Sequence, residues 1–205
     1  MESRLNALVA KIRTAAEGQE RLLVAVAGPP GAGKSTLAEA LADQIGPEAQ
    51  VIPMDGFHRD NDWLIAHTLL ARKGAPETFD AAAFLHLIKR FSKGESPRFP
   101  LFDRAGDCTV PEAGGLSEAT RILVIEGNYL LLDRPIWRDL AAFWDMTVFI
   151  DVPKPELERR LIARWLDHGL DPDAARVRAQ SNDLINADTV IAQSTTADWT
   201  ISSDF

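Results

Sequence analysis

Residues 28 to 35 read Gly-Pro-Pro-Gly-Ala-Gly-Lys-Ser and follow the apolar run Leu22–Ala27. A glycine, four residues, then Gly-Lys-Ser between a strand and a helix is the pattern of a loop that cradles phosphate. Its glycines let backbone N–H groups turn toward polyphosphate oxygens, and the helix that follows adds the positive end of its dipole. Gly28, Pro29, Pro30, Gly31, Ala32, Gly33, Lys34, Ser35 and Thr36 are therefore the expected nucleotide contacts. Lys34 can reach the β- and γ-phosphates as a point charge, and the Ser35 hydroxyl can hold Mg²⁺. The chemistry implied is binding of a nucleoside triphosphate.

Three further groups could act on that nucleotide. Asp55 ends the apolar run Gln50–Met54, and in open α/β sheets ligands bind beyond the carboxyl ends of strands. A carboxylate there can take the proton of an attacking hydroxyl, or it can simply cap a turn. Glycine at position 56 would let a ligand come close. Glu126 ends the run Arg121–Glu126, expected two strands from the phosphate loop. A buried acid in that place needs a cation or hydrogen bonds, which suits a Mg²⁺-linked role. Arg159, Arg160 and Arg164 lie on consecutive turns of one helical stretch, and 160 and 164 share a face. They could neutralise charge on a transferred phosphoryl group, or pair with Glu156, Glu158 and Asp167 on a solvated face. His58 and Arg59 follow Asp55 within a turn; each could touch a substrate or serve only as a polar wall.

The elements that must place these groups alternate. Leu22–Ala27, Gln50–Met54, Arg121–Glu126, Met146–Val152 and Trp199–Ser202 read as parallel strands buried on both faces. Helical spacing covers Lys34–Ile45, Pro135–Phe143, Pro155–His168 and Pro172–Ser194, the last with a break expected near Asn182. The result is an α/β chain with a three-layer fold around a five-stranded parallel sheet. Residues 1–21 read as an amphipathic helix rather than a signal peptide. Residues 55–116 interrupt the alternation with helices at Asp60–Lys73 and Asp80–Lys93. A Pro/Gly-rich stretch follows, interleaving Arg98, Phe99, Phe102, Asp103 and Arg104. So long an interval in a single domain is usually functional, and an ordered substrate-side segment is expected.

Composition narrows the partners. The net charge of -8 in 205 residues disfavours broad nucleic-acid binding, which needs a basic face. The single cysteine, Cys108, allows no internal disulfide and suits a reducing cytoplasm. It reads as an inert loop thiol. No run approaches the roughly 20 apolar residues of a membrane span.

Taken together, GPPGAGKS, MDGFH, RKGAPETFD, IEGNYLL and the arginine-bearing helix resemble the uridine kinase, phosphoribulokinase and type I pantothenate kinase group. The likeness is greatest to a bacterial branch often labelled fructose-transport-system kinases, and it spans about Leu22 to Phe205. It implies a P-loop kinase fold with a lid over 159–182 and an acceptor-side insertion over 55–116. It further implies ATP and Mg²⁺ as cofactors, a small-molecule acceptor and a cytoplasmic enzyme. By motif, Lys34 would bind phosphates, Asp55 would be the base, Ser35 and Glu126 would hold Mg²⁺, and Arg160 and Arg164 would be lid arginines. Arg72 matches the group's pattern as an acceptor-side residue, and His58, Arg59, Phe102 and Arg104 are the further acceptor-side candidates from their place in the 55–116 segment. Where uridine kinases carry a tyrosine- and histidine-bearing hairpin this chain has Pro97–Arg104, which points away from a nucleoside acceptor. The expected activity is transfer of the γ-phosphoryl group to a hydroxyl of a sugar-like, pantothenate-like or nucleoside-like metabolite. The alternative is an ATP-binding regulator acting through a protein partner. A GTPase is disfavoured because no Asn-Lys-x-Asp segment follows a later strand.

Overall fold

In the computed structural model, which describes residues 2–202, the run Leu22–Ala27 forms β1 with every residue buried. Helix α1 (Glu2–Ala15) precedes it, stopping short of residue 21. Then come α2 (Lys34–Ile45), β2 (Ala49–Pro53) and a 3₁₀ turn at Met54–Phe57. The insertion carries α3 (Asn61–Ala66), 3₁₀ turns at Leu70–Arg72 and Pro76–Thr78, α4 (Ala81–Phe91), β3 (Phe99–Asp103) and β4 (Cys108–Gly114). The remainder is β5 (Ile122–Gly127), a 3₁₀ helix at Trp137–Phe143, β6 (Met146–Asp151), α5 (Lys154–Asp167), α6 (Pro172–Arg178), α7 (Leu184–Gln193) and β7 (Trp199–Ser202).

The five-stranded sheet is parallel, in the order β2-β5-β1-β6-β7. Helices cover both faces. One core gathers α1, α2 and α5 against β1 and β6, and the other gathers α4 and Trp137 against β1 and β5. This is the three-layer architecture expected from near-continuous apolar strands. One detail differs: β5 is the immediate neighbour of β1, not two strands away. The crossover through α2 sets β2 one place out and leaves a slot that β5 fills, so Glu126 comes closer to the phosphate loop than its order suggested. In register, Val26 and Pro53 both lie opposite Glu126. The start of the loop, Glu126 and the turn holding Asp55 therefore stand at one height on the carboxyl edge of the sheet.

The insertion departs furthest from expectation. The Asp60–Lys73 helix is split, because Thr68 adopts a left-handed φ of 57° after α3. The Pro/Gly-rich stretch is an antiparallel hairpin, β3–β4, with a register shift between Phe99 and Leu101. Pro100 lies at that irregularity, where no ladder N–H is needed. Cys108 begins β4 and is exposed, so it is a strand thiol rather than a loop one. The Gly56 close approach also has a different cause. A Cβ there would overlap the Pro100 carbonyl oxygen, so this glycine admits the hairpin backbone, not a ligand. The hairpin is thereby seated on the Asp55 turn.

Two helical expectations change in kind. Pro135–Phe143 is a 3₁₀ helix from Trp137, entered through Ile136 at φ 72°. The Pro172–Ser194 helix does not break near Asn182 but widens into a π-helical turn at Ala179–Asp183. Such a turn is often a functional feature.

Candidate functional site

Lys34 is the first residue of α2, preceded by Gly33 in the left-handed region at φ 93°. Burial pushes the Lys34 ammonium down from its usual range, while Glu126 and Asp55 pull it back up. Its Nζ donates to the Pro29 carbonyl at 3.0 Å. A cavity of 280 Å³ opens over this loop, walled by Gly31, Gly33, Lys34, Ser35, Thr36 and Glu126 and reaching Asp55, Arg104 and Arg164. Backbone donors, a buried cation and two arginines around one polar cavity fit a polyphosphate.

Glu126 sits at the floor, 6 % exposed, accepting from Ser35 Oγ at 3.2 Å. Burial, and then the neighbouring Asp55 charge, push its carboxyl up from 4.5 to about 7; Lys34 and Ser35 oppose the rise. Among the described residues no group of three or more His, Cys, Asp or Glu side chains could cage a metal. A magnesium ion does not need one: it keeps several waters and takes one or two protein oxygens plus substrate phosphates. The Ser35 hydroxyl beside a carboxylate with an unmet charge demand fits that donor set.

The raised Glu126 pKa has a stability consequence. The folded state holds this proton longer than the unfolded chain, so stability is full below 4.5 and lost as pH rises through about 7. Glu126→Gln removes that loss. We expect the variant, free of nucleotide and metal, to be more stable than the parent at pH 8 by up to about 3 kcal/mol. The gap should close as pH falls to 4.5. Urea melts at the two pH values measure it; an equal gap at both would show that the Glu126 proton is not the cause.

Asp55 stands where the phosphate cavity meets a second cavity of 160 Å³, and both are lined by Pro30, Asp55, Arg104, Asn128 and Arg164. Arg104 Nη2 is 3.9 Å from Asp55 Oδ2. His58 lies in the second cavity between the rings of Phe79 and Phe102, at centroid distances of 4.0 and 4.8 Å. Its Nδ1 bonds the Asp55 carbonyl at 2.8 Å, and burial lowers its pKa. It is thus held as a neutral wall fixing the Asp55 turn.

Not every expected residue meets there. Arg59 pairs with Asp80 at 2.9 Å and stacks over Trp63, lining neither cavity. Arg72 donates to Asn182 and Asn186 at 2.7 and 2.9 Å, tying the insertion to the π-helical turn and the start of α7. Arg159 is an exposed partner of Glu156. Arg160 also bonds Glu156, at 2.7 Å, and its Nη1 donates to the Gly31 and Ala32 carbonyls of the phosphate loop at 3.4 Å, beside a cavity lined by Leu5, Gly33, Thr36 and Ala40. Of the helix's arginines only Arg164 faces Asp55 and Glu126. The second cavity includes residues not singled out from sequence: Asp107, Trp165, Arg178, Asp183 and Asn186. Trp165 Nε1 on α5 donates to Asp183 Oδ2 in the π-helical turn at 2.5 Å. The only signal for them was an aromatic among arginines before a Gly-Leu-Asp-Pro turn, which does not say which face it joins.

Known proteins are similar to this chain in sequence and in fold. The chain is 48 % identical to a protein of solved structure from Silicibacter sp. TM1040 described as a putative fructose transport system kinase, with a TM-score of 0.92 over 96 % of this chain and 98 % of that one. It is 40 % identical to YggC of Escherichia coli K12, over 86 % of this chain and 75 % of that protein. The structure of YFH7 from Saccharomyces cerevisiae matches with a TM-score of 0.88 over 98 % of this chain and 99 % of that one; at 21 % identity it speaks to the fold alone. Residues 23–175 match the phosphoribulokinase/uridine kinase family, a family of ATP-dependent kinases that phosphorylate a hydroxyl of a small molecule. With the phosphate loop, the strand-end acids and this match over most of its length in agreement, the chain belongs to the phosphoribulokinase/uridine kinase family.

Proposed function

We propose that the protein transfers the γ-phosphoryl group of Mg-ATP to a hydroxyl of a small metabolite bound in the 160 Å³ cavity. The observation that carries this reading is the position of Asp55, in the wall common to that cavity and the phosphate cavity. A hydroxyl entering from one side meets the carboxylate just where the γ-phosphorus would arrive from the other. Asp55 takes the hydroxyl proton as the oxygen forms its bond to phosphorus. The bond from phosphorus to the β–γ bridging oxygen breaks, and ADP leaves with that electron pair. Lys34, Arg104 and Arg164 all line the phosphate cavity, and their charges would stabilise the oxygens where negative charge accumulates. Mg²⁺ held by Ser35 and Glu126 would supply shielding of the phosphate charges when bound. His58 and the hairpin hold the Asp55 turn, keeping the hydroxyl in line.

The protein is incubated with Mg²⁺, ATP labelled at the γ-phosphorus and a small-molecule cell extract. The label should move to an organic compound of low molecular mass. Label recovered only as inorganic phosphate, whatever is added, would defeat the kinase reading and favour a hydrolytic regulator.

A further inference from the structure

Four cations line the acceptor-side cavity, and they are not equivalent. Lys73 is committed, bonding Asp107 at 2.8 Å and Asn61 Oδ1 at 2.8 Å. Arg104 and Arg164 also line the phosphate cavity and are within reach of the nucleotide. Arg178 is different. It lines the acceptor-side cavity and not the phosphate cavity.

Its guanidinium lies over the Trp165 ring, 5.1 Å from the centroid, and donates a long hydrogen bond of 3.3 Å to the Ala71 carbonyl. Among the described residues no carboxylate lies within ion-pair distance of it. The nearby Asp183 lies beyond ion-pair distance and is engaged by the Trp165 indole; the Arg178 and Arg164 charges reach it only as a partial offset to the upward push of burial on its pKa. A guanidinium with its face fixed on an aromatic ring and its edge open to a cavity is arranged for bidentate binding of a planar or tetrahedral anion. The cavity is also small for a ligand site, well below the roughly 300 Å³ where drug-sized pockets begin, and this favours a compact polar acceptor over a nucleoside.

Resting on the kinase reading above, we propose that the acceptor is a small hydroxylated anion whose carboxylate or phosphate is held by Arg178 while its hydroxyl faces Asp55. Arg178 then sets specificity: a neutral sugar of the same size forgoes the charge-assisted, bidentate bonds that the anion makes with the guanidinium.

The test pairs anions with neutral counterparts. Three- to six-carbon hydroxy acids are assayed beside their amides, and sugar monophosphates beside the free sugars, by acceptor-stimulated ADP release and by thermal shift with ADP. At least one anion should stimulate release, with its neutral partner about 100-fold lower in kcat/KM. Which series responds distinguishes a carboxylate from a phosphate. Arg178→Gln should raise the KM for that anion about 30-fold or more, with Arg178→Lys intermediate and the KM for ATP unchanged within about twofold. A neutral sugar or nucleoside as good as any anion overturns the proposal, as does an anion whose KM ignores Arg178→Gln in a folded variant. Silence from every anion in both assays overturns it as well; if the neutral compounds are silent too, the kinase reading falls with it.

Discussion

Asp55→Asn is expected to lower kcat about 10³-fold while leaving the KM for ATP within about threefold. The substitution keeps the size and shape of the side chain and removes its capacity to take a proton, together with the charge that Lys34 and Glu126 feel. It also leaves Gly56 in place, where the Pro100 backbone packs too closely for any Cβ, so the seat of the hairpin is kept. The same variant separates a base from a turn carboxylate. The ion pair that Asp55 makes is a long one, 3.9 Å to an Arg104 side chain that is 67 % exposed, and such pairs contribute under about 1 kcal/mol. Thermal stability should therefore hardly change. A variant that melts several degrees lower but turns over at the parent rate would make Asp55 a structural residue. Calorimetric ATP binding and steady-state rates on one preparation decide it.

Lys34→Ala should lower kcat/KM for ATP by about 10³-fold, with Lys34→Arg recovering little of it. Lys34 is 8 % exposed at the N-terminus of α2, and burial already disfavours its charge. That charge is sustained by Glu126 and Asp55, so a triphosphate adds to a field that is in place beforehand. The planar arginine fork does not fit where a compact ammonium rests on the Pro29 carbonyl. The loss should appear in ATP affinity as well as in turnover, unlike the loss at Asp55. A Lys34→Ala enzyme within tenfold of the parent would show that the loop backbone alone carries the phosphates.

Much of this was readable from residue order. Leu22–Ala27 and the glycines after it specify a strand, a turn and a helix locally, and α2 begins and ends as its spacing requires. Asp55 and Glu126 were identifiable as strand-end acids because a charge after an apolar run has to emerge at a sheet edge. What could not be read is what depends on pairing between distant segments. That β5 lies beside β1 follows from the crossover, not from any property of Arg121–Glu126. The β3–β4 hairpin was hidden because prolines and glycines that read as loop sit at its irregularities and turn. Arg59 and Arg72 were plausible ligands by motif, yet Asp80 and the Asn182–Asn186 pair hold them. Arg178 and Trp165 come together only when α5 and α6 fold back on each other.

The bond from Arg72 to Asn182 and Asn186 joins positions 110 and 114 apart in the chain, and Asn182 returns a bond to the Lys73 carbonyl at 2.8 Å. Anyone exchanging the 55–116 segment for that of a relative, in order to transplant acceptor preference, would be moving half of a clasp. The donor segment must arrive with its own counterparts of Asn182 and Asn186. Otherwise two buried amides lose their partners, and the chimaera fails for reasons unrelated to the acceptor it was built to recognise.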